Sequence, residues 1–120
     1  MAKMFGKAEV SVDGQRLLVD DSSKLNLGGV NRNVVKGTEV YGFAEETMES
    51  TVDVSVFIGA DTDLDALNNI SDATITFKCD SGQCYVLPHA WNATTVEAGA
   101  ATNGGKTTLK FCSAKAERVA

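Results

Sequence analysis

The side chains best suited to chemistry are one histidine and three cysteines: His89, Cys79, Cys84 and Cys112. Zinc sites usually combine two close pairs of such ligands, but here only the wide Cys79–Cys84 pair is present. Cys84 and His89 could act as nucleophile and base, yet the sequence indicates no third group to orient them. Cys79 and Cys112 fall at apolar strand positions, where cysteine packs as a small hydrophobe. We therefore expect no metal, no cofactor and no catalytic residue.

The oxidation state of the cysteines follows from their number and context. Three cysteines and no recognisable signal peptide argue against a disulfide framework. Cys79 and Cys84 flank a four-residue loop, so a bridge between them across a hairpin stays open as an alternative. We expect all three thiols to be reduced.

Three aspartates at alternate positions, Asp61, Asp63 and Asp65, resemble calcium ligands only superficially. An EF-hand loop also requires a glycine and a distal glutamate at fixed positions, and both are missing. Helix capping explains the aspartates better, because Asp61 or Thr62 can cap a helix over residues 61–70. Its apolar residues recur with helical spacing and would pack on a sheet: Leu64, Leu67 and Ile70.

Most of the remaining sequence has the two-residue period of β-strands. Asp13-Gly14 is a strong turn signal that predicts a hairpin, and Pro88 indicates an edge or a bulge. The predicted strands cover residues 7–12, 15–19, 24–27, 51–58, 73–79, 84–91, 92–97 and 106–112.

Residues 30–50 contain apolar side chains without a clear period, which predicts a long loop or a loose hairpin. Such side chains are costly to leave in water, so we expect a partner to cover them. The candidate subunit-interface residues are Val34, Val35, Val40, Tyr41 and Phe43.

The element order predicts a mainly-β fold, a β-sandwich or barrel with one short α-helix packed on it and a long loop. The 120 residues fit a single domain, 1–120, with short N-terminal and C-terminal arms. The net charge of −5 argues against tight nucleic-acid binding. No segment is long and apolar enough for a membrane span. The composition therefore favours assembly or binding over catalysis.

An ordered set of motifs over nearly the whole chain resembles the tail tube family of Mu-like contractile-tailed bacteriophages. No single motif is specific, but their order is. The cysteines and Met48-Glu49-Ser50 depart from the family pattern. The matching segments are residues 6–15, 25–32, 35–37, 41–45, 63–67, 72–76, 85–87 and 90–91.

This resemblance implies a structural subunit whose hexameric rings stack into a hollow tube inside a contractile sheath and conduct DNA into the host. The implied partners are further copies of the chain, the tail sheath protein, the tape measure protein, and the baseplate and tail terminator proteins. DNA would transit without specific binding, and no membrane binding is expected. The protein would be assembled in the host bacterial cytoplasm and reside in the virion tail. The alternatives are a tube subunit of an R-type pyocin or type VI secretion-like device, or a metal- or ligand-binding β-barrel.

A channel for DNA must not hold it, so its wall should be acidic or neutral and polar. The water-facing sides of two predicted strands fit this requirement. We therefore expect these residues in the lumen: Thr51, Asp53, Ser55, Thr74 and Thr76.

Overall fold

The computed structural model describes residues 2–20 and 22–119. It contains ten strands and one helix in these ranges. They are β1 (Ala8–Val12), β2 (Gln15–Arg16), β3 (Lys24–Asn26), β4 (Gly29–Lys36), β5 (Val40–Met48), β6 (Ser50–Phe57), α1 (Leu64–Asn68), β7 (Ala73–Cys79), β8 (Cys84–Asn92), β9 (Lys106–Ser113) and β10 (Glu117–Arg118).

Most strands form one antiparallel sheet that curls into a barrel. Its order is β2-β1-β7-β8-β9-β6-β3, with β10 paired to β8. The segment that follows β2 closes the barrel by pairing with β6. The Phe57 amide donates a hydrogen bond to the Leu18 carbonyl (2.7 Å), and the Asp20 amide donates one to the Ser55 carbonyl (3.0 Å). The prediction of a mainly-β sandwich or barrel is confirmed.

The core is built from the apolar residues of the alternating strands. In β6, Val52, Val54 and Val56 are buried, as their spacing predicts. The other strands contribute mostly larger side chains, and α1 adds Leu67 over the sheet. The large buried apolar residues of those strands are Val10, Ile75, Phe77, Leu87, Leu109 and Phe111.

Two local conformations follow directly from residue type. Asp13 and Gly14 both have positive φ (49° and 85°), which is the geometry of a tight hairpin turn, and Val12 pairs with Gln15 beyond it. The predicted irregularity at Pro88 is a β-bulge in β8. Ala73 pairs with Ala90 but Ile75 pairs with Leu87, so β8 has one extra residue in the stretch that contains Pro88.

The helix is shorter than predicted, and its N-cap is Asp63 in place of the predicted Asp61 or Thr62. The Asp63 side chain accepts a hydrogen bond from the Ala66 amide (3.1 Å), and Leu67 is buried. Leu64 and Ile70 pack against the core at its edges.

Of the two alternatives predicted for residues 30–50, a long loop or a hairpin, the structure contains the hairpin, because β4 and β5 pair in register. Two further expectations are revised. Residues 93–97 are not a strand. The C-terminal arm includes β10, which pairs with Tyr85 and Val86 of β8.

Candidate assembly interface

The β4–β5 hairpin continues the β3–β6 pair as one long two-stranded ribbon. The same register runs from Lys24 opposite Asp53 to Val35 opposite Gly42, and it first shifts at Lys36. Only the β3–β6 half belongs to the barrel. In the described part of the chain, β4 and β5 form a separate two-stranded sheet.

The junction between the two halves depends on Gly28 and Ser50. Gly28 has a φ of +67°, and a Cβ there would overlap the Glu49 carbonyl oxygen, so only glycine fits. The buried Ser50 hydroxyl donates to the Leu27 carbonyl (2.6 Å) and accepts from the Ala116 amide (2.8 Å). Ser50 therefore ties the base of the hairpin to the segment that leads into β10.

The hairpin projects away from the barrel into solvent. Every residue from Gly29 to Thr47 is exposed. The radius of gyration is 17.0 Å, whereas a compact domain of this length has roughly 14 Å. The longest extent, 58 Å, is about twice the shortest, 28 Å. The molecule is therefore elongated, with the hairpin as an unsupported arm.

All five predicted interface residues lie on this hairpin. Val34, Val35, Val40, Tyr41 and Phe43 have exposures between 45% and 70%. Val34 and Phe43 are direct cross-strand partners, and the Arg32 guanidinium lies 5.8 Å from the Phe43 ring centroid. Tyr41 covers Gly37 at the tip, since a Cβ on Gly37 would lie 3.1 Å from the ring. The structure thus leaves all five apolar side chains without a covering layer, and it puts Val35 on the opposite face of the hairpin from Val34 and Phe43.

Of the predicted lumen residues on β6, one is misplaced. Thr51 is buried at 6% exposure, so the expectation that it faces water is wrong. It lies where β6 pairs with β9 on one side and with β3 on the other. Asp53 and Ser55 are half-buried.

Asp53 does not stand in an acidic environment. The register places Lys24 of β3 on one side of it and Lys110 of β9 on the other. Cross-strand neighbours of this kind have their Cβ atoms about 5 Å apart. The outward face of β6 is therefore more cationic than anionic.

Thr74 and Thr76 lie on a different face of the barrel. They alternate with the buried residues of β7 and so point away from the core. In the sheet, β7 is separated from β6 by β8 and β9. Since both strands turn these side chains outward from a shared core, Asp53 and Thr76 point to opposite sides of the molecule.

The cysteines do not face each other as the disulfide alternative requires. Cys84 pairs with Lys78, so it shares a face with Lys78, and Cys79 points to the other face. Burial, and next the charge of Asp80, raises the pKa of Cys79. Burial also raises the pKa of Cys112. These thiols are consequently protonated and weakly reactive at neutral pH.

His89 lies on the surface and pairs with a carboxylate. Its Nδ1 is 2.8 Å from Asp72 Oδ1, and both side chains are largely exposed. Within residues 2–20 and 22–119, no three histidine, cysteine, aspartate or glutamate side chains converge as metal ligands would. In the same part of the chain, no helix has the length and apolar character that crossing a membrane requires.

Sequence reasoning missed the role of Ser50 and the continuous ribbon. The sequence carries only a weak signal for the ribbon, because polar and apolar residues occur on both faces of the hairpin and leave no clean two-residue period.

Comparison with known proteins places this geometry in context. A family model described as phage tail tube protein matches residues 1–118. The Mu-like prophage FluMu tail tube protein of Haemophilus influenzae is 42% identical over 120 residues, which cover 99% of each chain. The tail tube protein of Escherichia phage Mu is 25% identical over 115 residues, which cover 96% of this chain and 94% of that protein.

Solved structures share the fold at much lower identity. A chain from the sheath-tube complex of an extracellular contractile injection system (PVC), in the extended state, superposes with a TM-score of 0.64 at 11% identity, covering 100% of this chain and 92% of that one. A chain from the sheath/tube terminator of the same type of system gives 0.64 at 10% identity, covering 95% and 94%.

Proposed function

The chain belongs to the phage tail tube family, and we propose that six copies form a ring, that rings stack, and that the resulting channel conducts DNA into the host. As a member of this family the protein is a structural component of the tail and not an enzyme. The ring, the stacking and the DNA transit are the proposed part.

The observation that carries the proposal is the unsupported hairpin. A two-stranded ribbon on its own is marginally stable in water. Here it leaves both backbone edges and several large apolar side chains uncovered. A neighbouring copy can cover them, and a contact of this head-to-tail type closes into a ring if the rotation between copies permits it.

Charge supports a lumen lined by β7 more than one lined by β6. The outward face of the β1–β7 pair carries Glu9 opposite Lys78 and Ser11 opposite Thr76, so its charges balance. The β6 face carries two lysines around Asp53. A cationic wall would retain DNA through counterion release. We therefore place Thr74 and Thr76 in the lumen, and Asp53 and Ser55 on the outer wall.

The proposed partners follow from the family and from the structural neighbours. Further copies of the chain form the tube. The tail sheath protein surrounds it, the tape measure protein occupies the lumen during assembly, and the baseplate and tail terminator proteins close its ends. Assembly takes place in the host cytoplasm.

A tube subunit of a genome-free injection device is the second candidate. The specific observation in its favour is the fold similarity to a chain from the sheath-tube complex of an extracellular contractile injection system. Both candidates use the same ring and differ only in cargo.

Electron microscopy of the purified protein tests the ring and the stacking. We expect rings or hollow tubes with six-fold symmetry at high protein concentration. Particles that remain monomeric under all conditions, including co-expression with the sheath protein, would contradict the proposal. Particles that package DNA and eject it through the tube would separate the phage tail from the genome-free device.

A further inference from the structure

The two faces of the β4–β5 hairpin differ in chemistry. Directly paired residues of an antiparallel pair share a face, and successive residues alternate between faces. One face, here called the apolar face, carries Val30, Arg32, Val34, Phe43, Glu45 and Thr47. The other, here called the asparagine face, carries Asn31, Asn33, Val35, Ala44, Glu46 and Met48.

The apolar face is suited to contact with protein. Val34 lies directly opposite Phe43, and the Arg32 guanidinium stacks over the same ring. Aromatic residues and arginine are enriched at the centres of protein interfaces. Arg32 also lies opposite Glu45, so the charges on this face cancel.

The asparagine face is suited to water. Asn31 Nδ2 donates to Asn33 Oδ1 (3.1 Å), and Asn33 Nδ2 donates to Glu46 Oε2 (3.2 Å). This chain of hydrogen bonds ends on a carboxylate that has no basic residue among its direct cross-strand partners. Covering it with a dry protein surface would desolvate the charge at a high free-energy cost.

We infer that the apolar face packs against a second copy of the chain and that the asparagine face lines the water-filled channel. This inference rests on the proposed function. Each copy carries a net charge of −5, so like copies repel unless they meet at a surface of balanced charge. The charges of Arg32 and Glu45 balance on the apolar face, so that face meets the requirement. On the asparagine face, the negative charge of Glu46 has no basic cross-strand partner and would enter any contact with another copy.

The size of the hairpin favours a closed ring over an isolated dimer. Strands of eight and nine residues give a ribbon about 30 Å long and about 10 Å wide, or roughly 300 Å² per face. A stable interface needs about 800 Å² per partner. One hairpin face is too small to hold two copies together, whereas a ring gives each copy two neighbours and adds the sheet edges to the buried area.

Glu45 and Glu46 provide a matched pair for a test. They are adjacent, of the same type and both exposed in the monomer, yet they lie on opposite faces. Glu45→Cys and Glu46→Cys would be made in a parent whose three cysteines are replaced by serine. Each variant is labelled as monomer and as assembled tube, with a small maleimide and with a polyethylene-glycol maleimide too large for the channel.

We expect assembly to slow labelling of Glu45→Cys by at least about tenfold with both reagents, because a buried thiol is shielded. In the assembled tube, the small maleimide should label Glu46→Cys within about threefold of the rate in the monomer, because the thiol stays in water. The large maleimide should not label it, because that reagent cannot enter the channel. The reverse pattern, or equal protection of both positions, would overturn the inference.

Two further variants keep the test decisive. If Glu45→Cys fails to assemble while the parent does, Thr47→Cys replaces it on the apolar face, and Asn33→Cys similarly backs up Glu46→Cys. A parent that forms no tubes, where the native protein also forms none, counts against the proposed function itself. Tubes with the wrong protection pattern count against the face assignment alone.

Discussion

At the scale of single residues, the base of the hairpin is held by one hydroxyl. Ser50 is fully buried and satisfies two backbone groups from distant parts of the chain, the Leu27 carbonyl and the Ala116 amide. An unsatisfied buried polar group costs more than a typical hydrogen bond contributes. The orientation of the arm therefore depends on a side chain with no catalytic or binding role.

Replacing Ser50 with alanine should lower the free energy of unfolding by about 1–3 kcal/mol, because both backbone groups lose their partner. Chemical denaturation of the monomer measures this change. Ser55→Ala is the matched control: Ser55 is half-buried and its one side-chain contact is a long 3.4 Å approach to Thr108. The control should change stability by less than about 0.5 kcal/mol. Equal effects from the two substitutions would show that the contacts of Ser50 are unimportant.

The cysteines form a second prediction at this scale. We expect three reduced thiols in the purified protein, with Cys112 reacting most slowly because it is 6% exposed. Timed alkylation followed by mass spectrometry measures the order of reaction. Their joint replacement by serine should leave ring formation intact, with some stability lost at Cys112. Stoichiometric bound zinc, or a native Cys79–Cys84 bridge, would contradict this prediction.

At the scale of the elements, the barrel buries its large apolar side chains, whereas the hairpin leaves its own exposed. Phe77 of β7 is 1% exposed and lies in the core, whereas Phe43 of β5 is 59% exposed. Phe43 is therefore not a core residue of the monomer. Substitution of the two phenylalanines should therefore separate folding from assembly.

Phe43→Ala should leave the monomer's free energy of unfolding within about 0.5 kcal/mol of the original value, since little burial is lost. It should impair polymerisation, raising the protein concentration needed for tubes by at least about tenfold, as expected for loss of an interface anchor. Sedimentation of tubes over a concentration series gives this threshold. Phe77→Ala provides the contrast and should cost about 3–5 kcal/mol of stability. Normal assembly of Phe43→Ala would refute the interface role of the ring.

At the scale of the whole molecule, the proposed function depends on which outward face of the barrel meets the proposed channel. Two sets of polar side chains were candidates, and they point in opposite directions because β6 and β7 lie on opposite sides of one core. Only one set can line the lumen of a ring built from identical copies. Charge balance favours β7, whose outward neighbours compensate each other.

Thr76→Lys should place a ring of added positive charges in the channel and slow DNA ejection by about tenfold or more at low salt, with recovery as salt screens the contacts. Ser55→Lys, a comparable change on the β6 face, should leave ejection unchanged. Ejection from particles assembled with each variant, measured at two salt concentrations, gives the comparison. Slow ejection with Ser55→Lys alone would place the β6 face, and Asp53 with it, in the lumen.

The sequence by itself determined the fold class, most of the strands, the existence of the helix and the family. The fold class and the strands depend on local pattern, namely the alternation in Val52, Val54 and Val56 and the Asp13-Gly14 turn. The helix cap was predicted one or two residues too early, because Asp61, Thr62 and Asp63 are all residue types that can cap a helix. The apolar segment that the structure leaves exposed was also visible, since Val34, Tyr41 and Phe43 follow no core-forming period.

Only the tertiary structure decided how these parts face one another. The register that joins β3–β6 to β4–β5 is a pairing between distant segments, and it alone separates Glu45 from Glu46 and Val34 from Val35. Thr51 is buried while Asp53, two positions further along β6 and paired with the same two strands, is only half-buried. Asp53 is flanked across the sheet by Lys24 and Lys110, which lie 29 and 57 positions away from it along the chain. Such neighbours are set by the closure of the barrel, which no local pattern in the sequence encodes.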